Sequence, residues 1–117
     1  MHKAKKSLGQ NFLKSEAALH AIIQAGEITE KETIVEIGPG KGALTERLLE
    51  KAGKVVAIEK DQDLLPILEE KFKTEIAKGK LVIVNQDVLE FEVKNFVRSE
   101  YKIIANIPYN ITGAILK

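Results

Sequence analysis

The sequence predicts an α/β fold, a doubly wound parallel sheet covered by helices, and three observations carry that expectation. Short apolar runs rich in Val and Ile alternate with stretches of helical periodicity four times along the chain. The runs are apolar throughout instead of alternating with polar residues, as strands buried on both faces require. Each run ends on glycine or on a polar residue: Gly38 and Gly40, Glu59, Asp87, and Asn106 through Tyr109. Ligands of such sheets sit beyond the carboxyl ends of the strands, where the strand order reverses. Four strands in the order 3-2-1-4 bring all four ends to one crevice, between the first and the fourth.

The elements follow in order. Residues 1–14 read as a basic arm and loop. They hold His2, Lys3, Lys5, Lys6 and Lys14 and no acid, a composition suited to a solvated tail or to phosphate contact. Ala18, Leu19, Ile22 and Ile23 recur at helical spacing and predict a helix over 15–25, closed by Gly26. Residues 33–37 form the first strand and 43–51 the next helix, with Leu44, Leu48 and Leu49 on one face. Residues 55–59 make the second strand. A helix over 61–77 enters through Asp61 or Asp63 as cap, with Pro66 near its first turn. Residues 81–85 make the third strand, 93–98 a short helix and 103–105 the core of the fourth strand. Residues 111–117 read as the start of one more helix.

Bulk properties set limits. A length of 117 residues suits one domain, here residues 15–117 behind the arm. No apolar run approaches the roughly 20 residues needed to span a bilayer, and the basic N-terminus lacks the apolar stretch of a signal peptide. The chain has no cysteine, so it holds neither a disulfide framework nor a thiolate metal site. These features suit a cytosolic protein. His2 and His20 stand too far from other donors to suggest metal ligands, and no nucleophilic triad is visible.

The segment Glu36-Ile37-Gly38-Pro39-Gly40-Lys41-Gly42 reads as a cofactor loop. Gly38 and Gly40 permit a tight turn and close approach of backbone to ligand. Alone it is ambiguous, because Gly38, Gly40 and Ala43 also satisfy the relaxed dinucleotide fingerprint, with Glu59 near the distance of a ribose acid. Glu36 tilts the reading. A carboxylate inside an apolar strand is costly unless it is bonded. A dinucleotide site wants an apolar residue there, whereas a cationic amino-acid ligand has use for an acid. S-adenosylmethionine carries an ammonium and a sulfonium and no phosphate. Glu59 can accept from both ribose hydroxyls. Asp87 can accept from the adenine amine, or else caps a turn at Val88 and Leu89.

Asn106-Ile107-Pro108-Tyr109 is the most specific tetrapeptide. The exocyclic amine of adenine is a poor nucleophile, since its lone pair is delocalised into the ring. The Asn106 side-chain oxygen and the Pro108 carbonyl can accept its N–H groups and favour the geometry of attack. Tyr109 offers a flat face to a base taken out of its stack.

Three ordered motifs now carry a family resemblance over essentially the whole chain. They are Lys6-Ser7-Leu8-Gly9-Gln10-Asn11-Phe12-Leu13, the segment from Glu36 to Thr45, and Asn106-Ile107-Pro108-Tyr109-Asn110-Ile111. Together they resemble the ribosomal RNA adenine dimethyltransferases, the small-subunit enzymes best and the erythromycin-resistance dimethylases closely. The resemblance implies a Rossmann-like class I methyltransferase fold and S-adenosylmethionine as cofactor. The implied reaction is N6,N6-dimethylation of adenine in small-subunit rRNA, with the immature small ribosomal subunit as partner. It implies that Gln10, Asn11 and Leu13 close over the cofactor and that Gly38 and Gly40 shape its pocket. Glu59 would hold the ribose, and Asp87 with Val88 the adenine; Glu36, Lys60 and Asn106 complete the expected cofactor set. Asn106, Pro108 and Tyr109 would hold the target base.

Two departures stand out. Gln86 replaces the glycine common before the third-strand Asp, and the chain is less than half the family's length. It is therefore expected to be the cofactor-binding part, truncated on the C-terminal side. An exposed sheet edge is then expected to promote self-association. Two other function classes remain at this point, a nicotinamide-dependent oxidoreductase and a non-catalytic RNA-binding assembly module.

Overall fold

The computed structural model describes residues 16–97, 100–107 and 110–116, and its sheet has five strands. Helix α1 spans Glu16–Gly26 and leads into β1, Thr33–Ile37. Helix α2, Ala43–Lys51, connects β1 to β2, Lys54–Ile58. A 3-10 turn at Gln62–Leu64, α3 at Leu65–Lys71 and α4 at Lys73–Ala77 lead to β3, Leu81–Val84. Two further 3-10 turns, Val88–Glu90 and Val93–Asn95, precede β4, Tyr101–Ile107, which turns back into β5, Asn110–Leu116.

The order is β3-β2-β1-β4-β5, with β1 to β4 parallel and β5 antiparallel to β4. The expected order 3-2-1-4 therefore holds, and it reverses between β1 and β4. Because β1→β2→β3 steps one way across the sheet, both crossovers place their helices on one face. Ile34, Val55, Ala57, Leu81 and Ile104 point to that face. They pack on Leu19, Ile22 and Ile23 of α1, Leu44, Leu48 and Leu49 of α2, and Leu68 and Phe72. The return connection from β3 to β4 crosses the other face. There Val35, Val56, Ile58 and Val84 meet Val97, Phe91, Val93 and Phe96. Phe91 and Phe96 stack with their ring centres 5.1 Å apart. The continuously apolar strands thus bury both faces, as their composition predicts.

Three elements differ from the sequence expectation. The helix over 61–77 breaks at Phe72, where φ is −113° and ψ is 30°. The Phe72 ring is buried in the core, and that burial outweighs the helical propensity of the residues around it. The helix expected over 93–98 is a single 3-10 turn. The helix expected over 111–117 is instead β5. Ile111, Thr112 and Ile115 are β-branched and Gly113 disfavours helix, so the segment pairs with the open edge of β4 through Ile103↔Leu116, Ile104↔Ile115 and Ala105↔Ala114.

Helix α1 runs through Gly26, and the left-handed residue after it is Glu27, with φ 49°. Lys102 of β4 holds this corner. Its ammonium donates to the carbonyls of Gly26 at 2.7 Å and Glu27 at 3.0 Å, and pairs with Glu32 at 2.9 Å. A cation at a helix C-terminus satisfies carbonyls that the helix leaves open.

The Lys102 hydrogen bond, together with the Thr29 N–H, holds the Glu32 carboxyl below its ordinary value. A carboxyl depressed by folding contributes stability above its unfolded pKa of about 4.3, and that contribution is lost as pH falls through the folded value. Replacing Lys102 by Met should lower the melting temperature at pH 7 by roughly 5 °C. The gap between variant and parent should narrow below about pH 4, as Glu32 protonates in both. Circular dichroism melts from pH 7 to pH 3 measure both effects.

Candidate functional site at the carboxyl ends of the strands

Ile37 is in register with Ile58 on one side and Ala105 on the other, and Ile58 is in register with Val84. The next residue of each strand is therefore Gly38, Glu59, Asn85 and Asn106. Two backbone bonds continue the ladder one step further, Gly38 N–H to Ile58 O at 3.0 Å and Glu59 N–H to Val84 O at 2.9 Å. Three of the four residues in this row are ones the sequence singled out. The convergence follows from parallel pairing, which brings every carboxyl end to the same side.

The loop after β1 is built on positive φ at Gly38 (72°), Gly40 (62°) and Gly42 (93°). Gly42 caps α2 in the left-handed region with no side chain to help. A Cβ there would lie 2.6 Å from the Phe72 ring, so the third glycine seats the loop against the helix break. A Cβ at Gly40 would meet nothing within 4 Å. Lys71 adds a second tie, donating to the Lys41 carbonyl at 3.3 Å.

Each of the three glycine N–H groups already has a protein acceptor. Gly38 donates to Ile58 O, Gly42 to Pro39 O at 3.0 Å, and Gly40 to Glu59 Oε1 at 3.2 Å. A pyrophosphate-binding loop needs such donors free and a carboxylate kept away from its phosphates. Here Glu59, 7% exposed, stands against the middle of the loop. Its Oε2 accepts from the Asp61 N–H at 2.9 Å. A carboxylate oxygen offers about two acceptor positions, so one position on each oxygen remains for a ligand. Two adjacent hydroxyls fit that pair, and a phosphate does not.

Glu36 is wholly buried in the middle of β1, between Ala57 and Ile104. Its Oε1 accepts from the hydroxyl of Thr45 at 2.5 Å, and Thr45 is equally buried in the first turn of α2. The carboxylate thus lies at the positive end of a helix and ties the strand before the loop to the helix after it. Asp87 Oδ1 accepts from the Leu89 N–H at 2.9 Å and caps the turn Val88–Glu90, leaving Oδ2 3.9 Å from the Lys60 ammonium. Val88 is 40% exposed and Leu89 90% exposed on that turn. Asn106 lies within β4, next to the reversal in strand order. Gln10, Asn11, Leu13, Pro108 and Tyr109 lie outside the described residues. Among the described residues no cluster of His, Cys, Asp and Glu could hold a metal ion.

Four residues that shape this site were given no site role by the sequence. Thr45 and Asp61 act through short-range bonds that a cap pattern partly signals. Phe72 and Asn85 act across 30 and 26 residues, and only the fold brings them near Gly42 and Glu59.

The arrangement defines a Rossmann-like class of protein, with Gly38, Gly40 and Glu59 gathered at the carboxyl ends of its parallel strands. Among solved structures, a dimethyladenosine transferase from Plasmodium falciparum superposes with a TM-score of 0.64 at 29% identity, covering 85% of this chain and 34% of its own. The 23S rRNA methyltransferase ErmE gives 0.67 at 29% identity, covering 84% and 38%. The fold is accordingly that of the class I methyltransferases. The whole chain, residues 1–117, matches the ribosomal RNA adenine dimethylase family and belongs to it. It is 44% identical to the ribosomal RNA small subunit methyltransferase A of Levilactobacillus brevis, over 97% of this chain and 39% of that protein. The chain thus spans about two fifths of the length of the curated relatives it matches.

Substituting Ala at Gly40 should cost about 1–2 kcal/mol, the price of a left-handed non-glycine residue. The same change at Gly42 should cost more, because it adds the collision with Phe72 to the same strain. Urea unfolding of the two variants measures the difference, and equal losses would show that the ring does not constrain the loop.

Proposed function

We propose that this chain is the cofactor-binding part of an S-adenosylmethionine-dependent enzyme that dimethylates N6 of adenine in small-subunit rRNA. The observation that carries this reading is Glu59. It lies beside a glycine turn whose N–H groups are engaged, and it keeps one open acceptor position on each oxygen. A ribose diol without neighbouring phosphates satisfies that arrangement. Family membership and the Asn106-Ile107-Pro108-Tyr109 segment supply the substrate class.

In this reading Glu59 holds the ribose hydroxyls and Asp87 the adenine amine through its Oδ2, with Val88 and Lys60 alongside. Gly38 and Gly40 let the backbone approach the ligand. Glu36, expected from the sequence to meet the amino-acid end, is wholly buried and serves the site by anchoring Thr45 behind the loop. Gln10, Asn11 and Leu13 close the pocket from the N-terminal segment, and the basic arm at 1–14 contacts phosphates. S-adenosylmethionine supplies a methyl group on a positively charged sulfur, open to in-line displacement. Asn106 and the Pro108 carbonyl accept the N–H groups of the target amine and turn its lone pair toward that methyl, while Tyr109 stacks on the base. Catalysis by these residues is positioning and electrostatic stabilisation.

The immature small ribosomal subunit is the substrate particle we assign, and the cytosol is the compartment. No helix among the described residues is long and apolar enough to cross a membrane. Self-association of this chain through an exposed sheet edge remains part of the proposal.

Calorimetry should show binding of S-adenosylmethionine and none of NAD. Glu59→Ala should weaken that binding roughly 10- to 100-fold. Binding of NAD alone would overturn the proposal. In a full-length relative, the substitution equivalent to Asn106→Ala should reduce methylation of immature small subunits about 100-fold or more, without changing cofactor affinity to the same degree.

A further inference from the structure

Asn85 carries no role in the function described so far, yet it stands in the row of strand-end residues beside Glu59. Its side-chain amide donates to two consecutive carbonyls of the neighbouring strand end, Glu59 O at 2.8 Å and Lys60 O at 3.2 Å. The Glu59 N–H is meanwhile taken by Val84 O at 2.9 Å. The main chain of Glu59 is therefore held from the β3 side at both its donor and its acceptor. Its carboxylate is held at the other end by the N–H groups of Gly40 and Asp61. The second link between the same strand ends, the ion pair of Lys60 with Asp87, is long and exposed and contributes little.

We propose that Asn85 is a positioning residue for cofactor binding: its amide fixes the turn at Glu59 and Lys60 so that the Glu59 carboxylate presents its two open acceptor positions to a ribose diol. The inference rests on S-adenosylmethionine being the ligand. Only a primary amide of this length places two N–H donors on one nitrogen across the gap between two parallel strand ends. Aspartate has the same shape and no donor, and it would set a second negative charge beside Glu59. Without the amide, the two carbonyls lose their donor and the turn can swing. Glu59 then meets the hydroxyls at the wrong angle, and the loss appears in affinity for the ribose, more than in global stability.

The test is calorimetric titration of the 117-residue chain with S-adenosylmethionine, with S-adenosylhomocysteine and with the 2′-deoxyribosyl analogue of the latter. The proteins are the parent, Asn85→Ala, Asn85→Asp, Glu59→Ala and the Asn85→Ala/Glu59→Ala pair, each with its melting temperature. Asn85→Ala should weaken S-adenosylmethionine binding about tenfold. Asn85→Asp should weaken it at least as much. Both should narrow the preference for the ribosyl ligand over its 2′-deoxy analogue. In the Glu59→Ala background, Asn85→Ala should have no further effect on affinity. Equal losses with and without Glu59, or an unchanged ribose preference, would overturn the positioning role and leave the assigned cofactor intact. A parent chain that binds no S-adenosylmethionine would instead overturn the functional reading, and this inference with it.

Discussion

A carboxylate in the middle of a sheet, closed off from water on every side, must be hydrogen-bonded or it destabilises the fold by several kcal/mol. Glu36 is such a group, and the hydroxyl of Thr45 is one of its partners. The two residues bracket the glycine turn, so the bond closes it into a ring of fixed size. The first turn of α2 is thereby held over β1, and Gly38, Gly40 and Gly42 have to take the left-handed conformations that complete the path. Glu59 then meets Gly40 because β2 lies in register beside β1. The path of the glycine loop is thus tied to the hydrogen bonding of one buried acidic side chain.

The two ends of the sheet divide the work. At the amino ends of the strands, Lys102 and Glu32 close the corner after α1 with bonds that involve no ligand. At the carboxyl ends, the corresponding bonds run through Glu59, Asp61, Asn85 and Asp87, and leave acceptor positions open. Both sets join segments far apart in the chain. Stability at one end lets the other hold polar groups with spare capacity.

The parallel strands, their order and the glycine loop were legible because they depend on local properties: β-branched runs, positive φ at glycine and helices between strands. The cap at Asp61 was legible for the same reason, and its side chain does accept from the Asp63 N–H. Asp87 was read both as a turn cap and as a ligand residue. These readings need not compete, since one oxygen caps the turn and the other faces Lys60. What the sequence concealed depends on tertiary contact. The break at Phe72 arises because its ring fills the core beneath the loop. Residues 110–116 pair as a strand because the edge of β4 offers a ladder of hydrogen bonds. Asn85 looks like an ordinary polar residue after a strand until the register shows two carbonyls within its reach.

The contact between Gly42 and the Phe72 ring also bears on how the loop can diverge. A side chain at position 42 has no room while a phenyl ring occupies 72, so a change at 72 to something smaller has to come first. Even then the left-handed backbone at 42 favours Gly, with Asn next. Two positions thirty residues apart are therefore coupled, and with the ring in place glycine is the residue that fits at 42.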